Sequence, residues 1–249
     1  ASLFGAKCHM TCIVSDDDHG RFYIEDLSSN NVVHTNPPIS SEISSGRCLV
    51  MVSDDAERTM CTNLGISTEF RASDLDEDVI KASNYLFLEG YLVASPKGME
   101  VCKKAIEVAK GSGTKVSISL SDPNIVNAFK NEIKTLLDMK CDLVFCNEDE
   151  ALAYTEKDNI LDAVQIFKEI SPNFLITQGS SGCLGFDGEN EFNIPGIKVN
   201  AIDSNGAGDM FAGAVLYCIT SGSSLEKGAI FGCYAASKVV GNVGPRLIK

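Results

Sequence analysis

The sequence predicts one α/β domain: a mostly parallel β-sheet with helices on both faces, carrying a small β flap. Three observations predict it. From Tyr85 onward, near-continuous apolar runs alternate with amphipathic helical ones, the pattern of strands buried on both faces by their connecting helices. Residues 47–64 break that alternation with two β-rich runs, RCLVMVS and RTMCTNL, around a polar DDAE turn, which reads as a hairpin projecting from the body. A chain of 249 residues with 44% hydrophobic content can bury a substantial core, and no repeat, low-complexity tract or long linker divides it.

The elements follow in order. LFGAKCHMTCIV reads as the end of a helix running at once into a core strand, and so abrupt a start implies a missing N-terminal segment. DDHGRFYIEDL is expected to be a helix capped by Asp17 or Asp18, with Phe22, Ile24 or Glu25 and Leu27 presenting a short apolar face. The flap spans approximately residues 32–70. YLFLEG is then a strand, and SPKGMEVCKKAIEVAKGSG a helix with Met99, Cys102, Ile106 and Ala109 on one side. TKVSISL is a strand, DPNIVNAFKNEIKTLLD one helix, CDLVFC a strand, LDAVQIFKEI a helix and NFLIT a strand. GCLGFD and EFNIP flank a GEN turn and read as antiparallel, after which IKVNAI is expected as a strand leading into DSNGAGD. Helix 207–219 is apolar almost all round and should be buried; helix 225–240 carries small residues that permit close packing.

Composition excludes several functions. A net charge of −13 without a basic patch argues against binding nucleic acid, because an acidic surface repels a phosphate backbone. Its local clusters, DDD at 16–18, DLDED at 74–78 and EDE at 148–150, read as solvated surface. The longest apolar run, Met210 to Ile219, is half of what a bilayer requires. The ten cysteines form no CxxC pair and mostly sit in apolar stretches, which points to reduced thiols and, with no signal peptide before Ala1, to a cytoplasmic protein. All three histidines lie at or before His34, so HExxH is absent and a Ser-His-Asp triad is poorly supported. Chemistry must rest largely on carboxylates.

One stretch stands out: DSNGAGDMF, Asp203 to Phe211, places a carboxylate inside a glycine turn suited to an anion. Glycines let successive N–H groups converge, and a helix starting near Ala207 adds the positive end of its dipole. The plain alternative is that Asn205-Gly206 is a turn and Asp209 an N-terminal helix residue stabilised by the dipole. Location favours the first reading, since ligands in open α/β sheets gather at the carboxyl ends of strands. The glycine spacing is neither the GxGxxG of a dinucleotide fold nor the GxxxxGK[ST] of a P-loop, which disfavours a dinucleotide-dependent oxidoreductase.

DSNGAGDMFAGA resembles the C-terminal signature of the ribokinase-like (PfkB) carbohydrate kinases, which include adenosine kinases. Independent landmarks accompany it in order: DAERTM in the flap, SDP at 121–123, NEDE at 147–150 and TQGSSG at 177–182. The resemblance implies a three-layer α/β/α sandwich with a β-sheet lid. It further implies that Asp209 is the catalytic base and that the backbone N–H groups of Gly206, Ala207 and Gly208 form an anion hole.

Asn147 and Glu150 match an NxxE element implied to organise Mg²⁺ and its waters near ATP, although locally they also read as a helix start with Asn147 as cap. Thr177, Gly179 and Gly182 match a nucleotide-contacting loop. Asp203 would help position the nucleotide or cap the turn, and Asn242 would border the adenine pocket or cap a helix. Arg58 would meet a phosphate when the lid closes, or else form a surface ion pair with Asp54, Asp55 or Glu57. Relatives often carry Thr where this chain has Ser204, and the hydroxyl is retained. The family's early substrate-binding aspartate and GGxxxN element have no match here.

These features imply an ATP- and Mg²⁺-dependent kinase acting on a primary hydroxyl of a sugar or nucleoside, adenosine slightly favoured by SLSDP, CNEDEA and GPRL. It would work as a monomer or homodimer, apart from nucleic acid and membrane. A noncatalytic nucleotide- or sugar-binding regulator is the alternative, against which Asp209 argues because such a protein needs no base.

Overall fold

The computed structural model describes residues 1–53 and 58–247, Arg58 by its backbone alone. After a 3-10 turn at Ser2–Phe4 come β1 (Cys8–His9), α1 (Asp18–Ser29), β2 (Val32–Val33), β3 (Arg47–Val52), β4 (Arg58–Asn63) and α2 (Glu77–Ala82). The main body continues with β5 (Tyr85–Glu89), α3 (Pro96–Ser112), β6 (Lys115–Ser119), α4 (Pro123–Ala128), α5 (Lys130–Asp138), β7 (Leu143–Asn147), α6 (Glu148–Thr155), α7 (Ile160–Ile170) and β8 (Phe174–Thr177). It closes with β9 (Gly182–Phe186), β10 (Glu191–Pro195), α8 (Ala207–Thr220) and α9 (Leu225–Val239).

Six strands form one sheet in the order β10-β9-β8-β7-β6-β5. Strands β5 to β8 run parallel, while β9 runs antiparallel to β8 and to β10, the second pairing being the one the GEN turn predicts. Side chains alternate across this sheet with period 2. Val144, Cys146, Phe174 and Ile176 enter the core beneath α3 to α7, whereas Leu143, Phe145 and Leu175 enter the second core beneath α8 and α9. Helices therefore cover both faces, as the alternating pattern predicts, which gives the three layers the resemblance implies.

Local chemistry sets the element limits. Ser95 accepts from the Gly98 N–H and Pro96 occupies the first turn, where its missing N–H is harmless, so α3 starts there. It stops at Gly113, whose φ of 81° suits glycine. Between α8 and α9 the small residues act as expected: a methyl at Gly232 would sit 2.7 Å from the Phe211 ring, so only glycine lets these helices approach so closely.

Three expectations are corrected. DPNIVNAFKNEIKTLLD is two helices, because Phe129 leaves helical dihedrals (φ −128°, ψ 35°) and packs its ring against the core. IKVNAI is not a strand: its apolar alternation finds no ladder partner, and Ile197, Val199 and Ile202 are exposed. The opening segment has ladder pairs at Cys8↔Val32, His9↔Val33 and Ser15↔Ile39, so the expected core strand is reduced to short contacts, although Ile13 and Val14 are buried.

The predicted hairpin is present as the antiparallel pair β3–β4. Its DDAE turn lies outside the described residues. All ten cysteines are free thiols; Cys102, Cys141, Cys146 and Cys183 are buried as expected, whereas Cys48 and Cys61 are exposed on the hairpin. Among the described residues no helix is long and apolar enough to cross a membrane.

Candidate active site

The carboxyl edge of the parallel strands gathers most of the nominated residues. Strand β7 ends at Asn147 and β8 at Thr177, and these two are register partners. Helix α8 is fixed against the sheet by Phe211, whose ring meets Phe145 edge-on at 6.4 Å, and Phe145 in turn meets Phe87 at 6.0 Å.

The glycine turn is built from within. Asp203, 2% exposed, accepts from the Asn205 N–H and from the Gly244 N–H, each at 2.8 Å. Asp203 thus caps the turn and ties it to the C-terminal segment. Gly206 precedes α8 with φ 75°, a conformation open to glycine, and a methyl there would come within 2.4 Å of the Pro245 carbonyl oxygen. Two constraints therefore demand glycine at one position.

Helix α8 has no side-chain cap, in contrast to α1, α2, α3, α4, α6, α7 and α9, each of which has one. Its first-turn N–H groups lack intrahelical acceptors by geometry and carry the positive end of the helix dipole. Of the three nominated donors, the Ala207 N–H reaches the Ser204 carbonyl at 3.3 Å and is shared within the turn. The space above Gly208 is open, because a Cβ there meets nothing within 4 Å. Asp209 lies one residue further in the same first turn and is exposed.

Asn147 and Glu150 form a reciprocal capping box. Asn147 accepts from the Glu150 N–H at 2.8 Å, while Glu150 accepts from the Asn147 N–H at 3.1 Å and from Asn147 Nδ2 at 2.8 Å. Glu150 is buried. In this arrangement the pair serves the helix start, the local reading of the motif. Among the described residues no group of three or more His, Cys, Asp or Glu could cage a metal.

The TQGSSG loop joins β8 to β9. Gly179 (φ 53°) and Gly182 (φ 106°) both take conformations that favour glycine, and Gln178 Nε2 donates to Glu148 at 3.0 Å, joining this loop to the start of α6. Asn242 donates from Nδ2 to the Lys238 carbonyl at 3.0 Å and so closes the end of α9. The Arg58 side chain, with the Asp54, Asp55 and Glu57 partners considered for it, lies outside the described residues.

Sequence reasoning missed Glu89. It ends β5, accepts from Ser121 Oγ at 3.3 Å, and its carboxyl is pushed up to about 7 by burial and then by the charge of Asp209. Ser121 itself has φ 71° and also receives the Gly90 N–H at 2.8 Å, which knits the ends of β5 and β6 together. The available signal was a carboxylate closing an apolar strand, YLFLEG, at the edge where ligands collect. A cavity of about 690 Å³ lined by Ile13, Asn36, Asp74, Asp76 and Asp78 shares none of these residues, and its acidic lining does not suit a phosphate.

An uncapped helix start, a glycine turn and the two coupled carboxylates Glu89 and Asp209 thus come together at the start of α8. Comparison with protein families places residues 1–248 in the pfkB family carbohydrate kinase group, and the chain belongs to that family. It is 26% identical to adenosine kinase of Dictyostelium discoideum over 253 residues, covering 94% of this chain and 72% of that protein. It is 27% identical to a probable fructokinase-7 of Arabidopsis thaliana, covering 86% of this chain and 65% of the relative. Among solved structures, adenosine kinase from Sinorhizobium meliloti superimposes with a TM-score of 0.96 at 28% identity, covering all of this chain and 76% of that one. The chain thus spans about two thirds to three quarters of the length of these relatives.

Proposed function

We propose that the protein is an ATP- and Mg²⁺-dependent kinase that phosphorylates a primary hydroxyl of a nucleoside or sugar, adenosine being slightly favoured. The observation that carries the reading is the start of α8, where an uncapped glycine cradle and the carboxylate of Asp209 occupy one helical turn. Family membership supports the same reaction class.

In this reading Asp209 accepts the proton of the attacking hydroxyl as its oxygen bonds to phosphorus, so an ordinary carboxylate basicity suffices. The N–H groups at Gly206 and Gly208, with that of Ala207 once it turns from Ser204, donate to the oxygens of the transferring phosphoryl group, where charge is largest in the transition state. Asp203 fixes the turn that presents them. Thr177, Gly179 and Gly182 let backbone approach the nucleotide, and Asn242 at the end of α9 borders it. Mg²⁺ when bound neutralises phosphate charge, and Asn147 and Glu150 would orient its waters. Glu89 faces the acceptor side beside Asp209. The β3–β4 hairpin, within residues 32–70, is the lid of a single kinase domain that excludes competing water.

The test is ATP-dependent phosphorylation of a panel of nucleosides and sugars, with product detected by mass. Adenosine is expected to give the highest kcat/KM. Tight ATP binding with no turnover on any acceptor would favour the noncatalytic regulator.

A further inference from the structure

Arg246, near the C-terminal end of the described chain, donates to Asp26 of α1 through both guanidinium arms, at 2.6 Å to Oδ1 and 2.5 Å to Oδ2. The partners are 220 residues apart. This guanidinium is the main cause holding the Asp26 carboxyl below its usual range. The two residues before Arg246 are the ones that grip the glycine turn: the Gly244 N–H donates to Asp203, and the Pro245 backbone closes over Gly206. The other end of α1 leads to the hairpin, since Asp17 caps the helix and accepts from both Ser45 N–H and Ser45 Oγ, two residues before β3. A continuous strap therefore runs from α1 to the phosphate cradle.

We propose that Arg246 is a positioning residue that sets the geometry of the anion cradle without touching its ligand. The reason is geometric. Residues 241–247 lie in no helix or strand, so little besides side-chain anchors limits their excursions. Asp203 can hold Asn205 and Gly244 at once only while the strap stays in register, and a bidentate Arg–carboxylate pair fixes both distance and orientation. Loosening it frees Gly244 and Pro245, and the Gly206 turn then samples conformations whose N–H groups no longer converge.

A double-mutant cycle with Arg246→Ala and Asp26→Ala in the full chain tests this, read by hydrogen exchange at the Asn205 and Gly244 amides and by nucleotide affinity. Each single variant is expected to speed exchange at these two amides while leaving the core amide of Val144 unchanged, and the double variant to add nothing further. ATP affinity is expected to fall by about fivefold or more, with Arg246→Lys recovering part of it. Unchanged exchange at both amides in Arg246→Ala overturns the proposal, as do additive effects in the double variant or acceleration spread evenly to Val144. The nucleotide arm rests on the kinase reading and the exchange arm does not. A chain that binds no ATP yet shows coupled exchange would remove the kinase reading and leave the strap standing.

Discussion

The carboxylates of Glu89, at the end of β5, and Asp209, in the first turn of α8, stand close enough for the charge of Asp209 to help hold a proton on Glu89 up to about pH 7. Burial is the larger cause. The relationship has a thermodynamic consequence. Between the unfolded value near 4.5 and the folded value near 7 the native state keeps a proton that the unfolded state has released, so stability falls as pH rises through that window. Urea unfolding at pH 5 and pH 8 should show wild type losing on the order of 2 kcal/mol more than Glu89→Gln, the partial exposure of the side chain being allowed for. Equal losses would remove the assigned coupling.

Two glycines two positions apart should respond in opposite ways. Gly206→Ala forces a methyl onto the Pro245 carbonyl at φ 75°, and urea unfolding is expected to show a loss of about 1–3 kcal/mol. Gly208→Ala meets open space inside a helical turn, so stability should hold or rise by about 0.5–1 kcal/mol. Its methyl nevertheless stands where a phosphate would approach, and calorimetric titration with ATP should show weaker binding in a protein that is no less stable.

The capping box and the metal reading separate in the same way. Asn147→Ala removes the acceptor for the Glu150 N–H and is expected to lower stability by about 1 kcal/mol in thermal or urea unfolding. Glu150→Gln keeps an oxygen for the Asn147 N–H but loses the charge. Titration of activity with Mg²⁺ should then require roughly tenfold more metal, the effect of altering a group that orients a metal's waters. An unchanged Mg²⁺ requirement in Glu150→Gln would leave the pair with the helix start alone.

Much of this arrangement was legible because it rests on local pattern. Strands β5 to β8 announce themselves as apolar runs, and the GEN turn announces the antiparallel return to β10. The glycines of the α8 turn announce a special backbone, which Gly206 takes at φ 75° while Gly208 lies within the helix, and Asp203 caps the turn, one of the two readings open to it. What escaped is tertiary. Phe129 breaks a helix whose periodicity is unbroken, because the core receives its ring. Residues 197–202 alternate like a strand yet find no partner. Glu89 and Ser121 belong to the same edge as Asp209 only once β5, β6 and α8 are packed, and Arg246 finds Asp26 across nearly the whole chain. Asn242 donates to the Lys238 carbonyl at the end of α9, in keeping with its helix-capping reading.

The central claim is that Asp209 accepts a proton while the turn before it holds phosphate. The direct measurement is single-turnover transfer of phosphate from ATP to the best acceptor, comparing wild type with Asp209→Asn at saturating ATP and Mg²⁺. The account predicts a rate lower by roughly 10²–10⁴-fold with ATP affinity retained, because the base is lost and the backbone donors stay. Undiminished transfer in Asp209→Asn would contradict it.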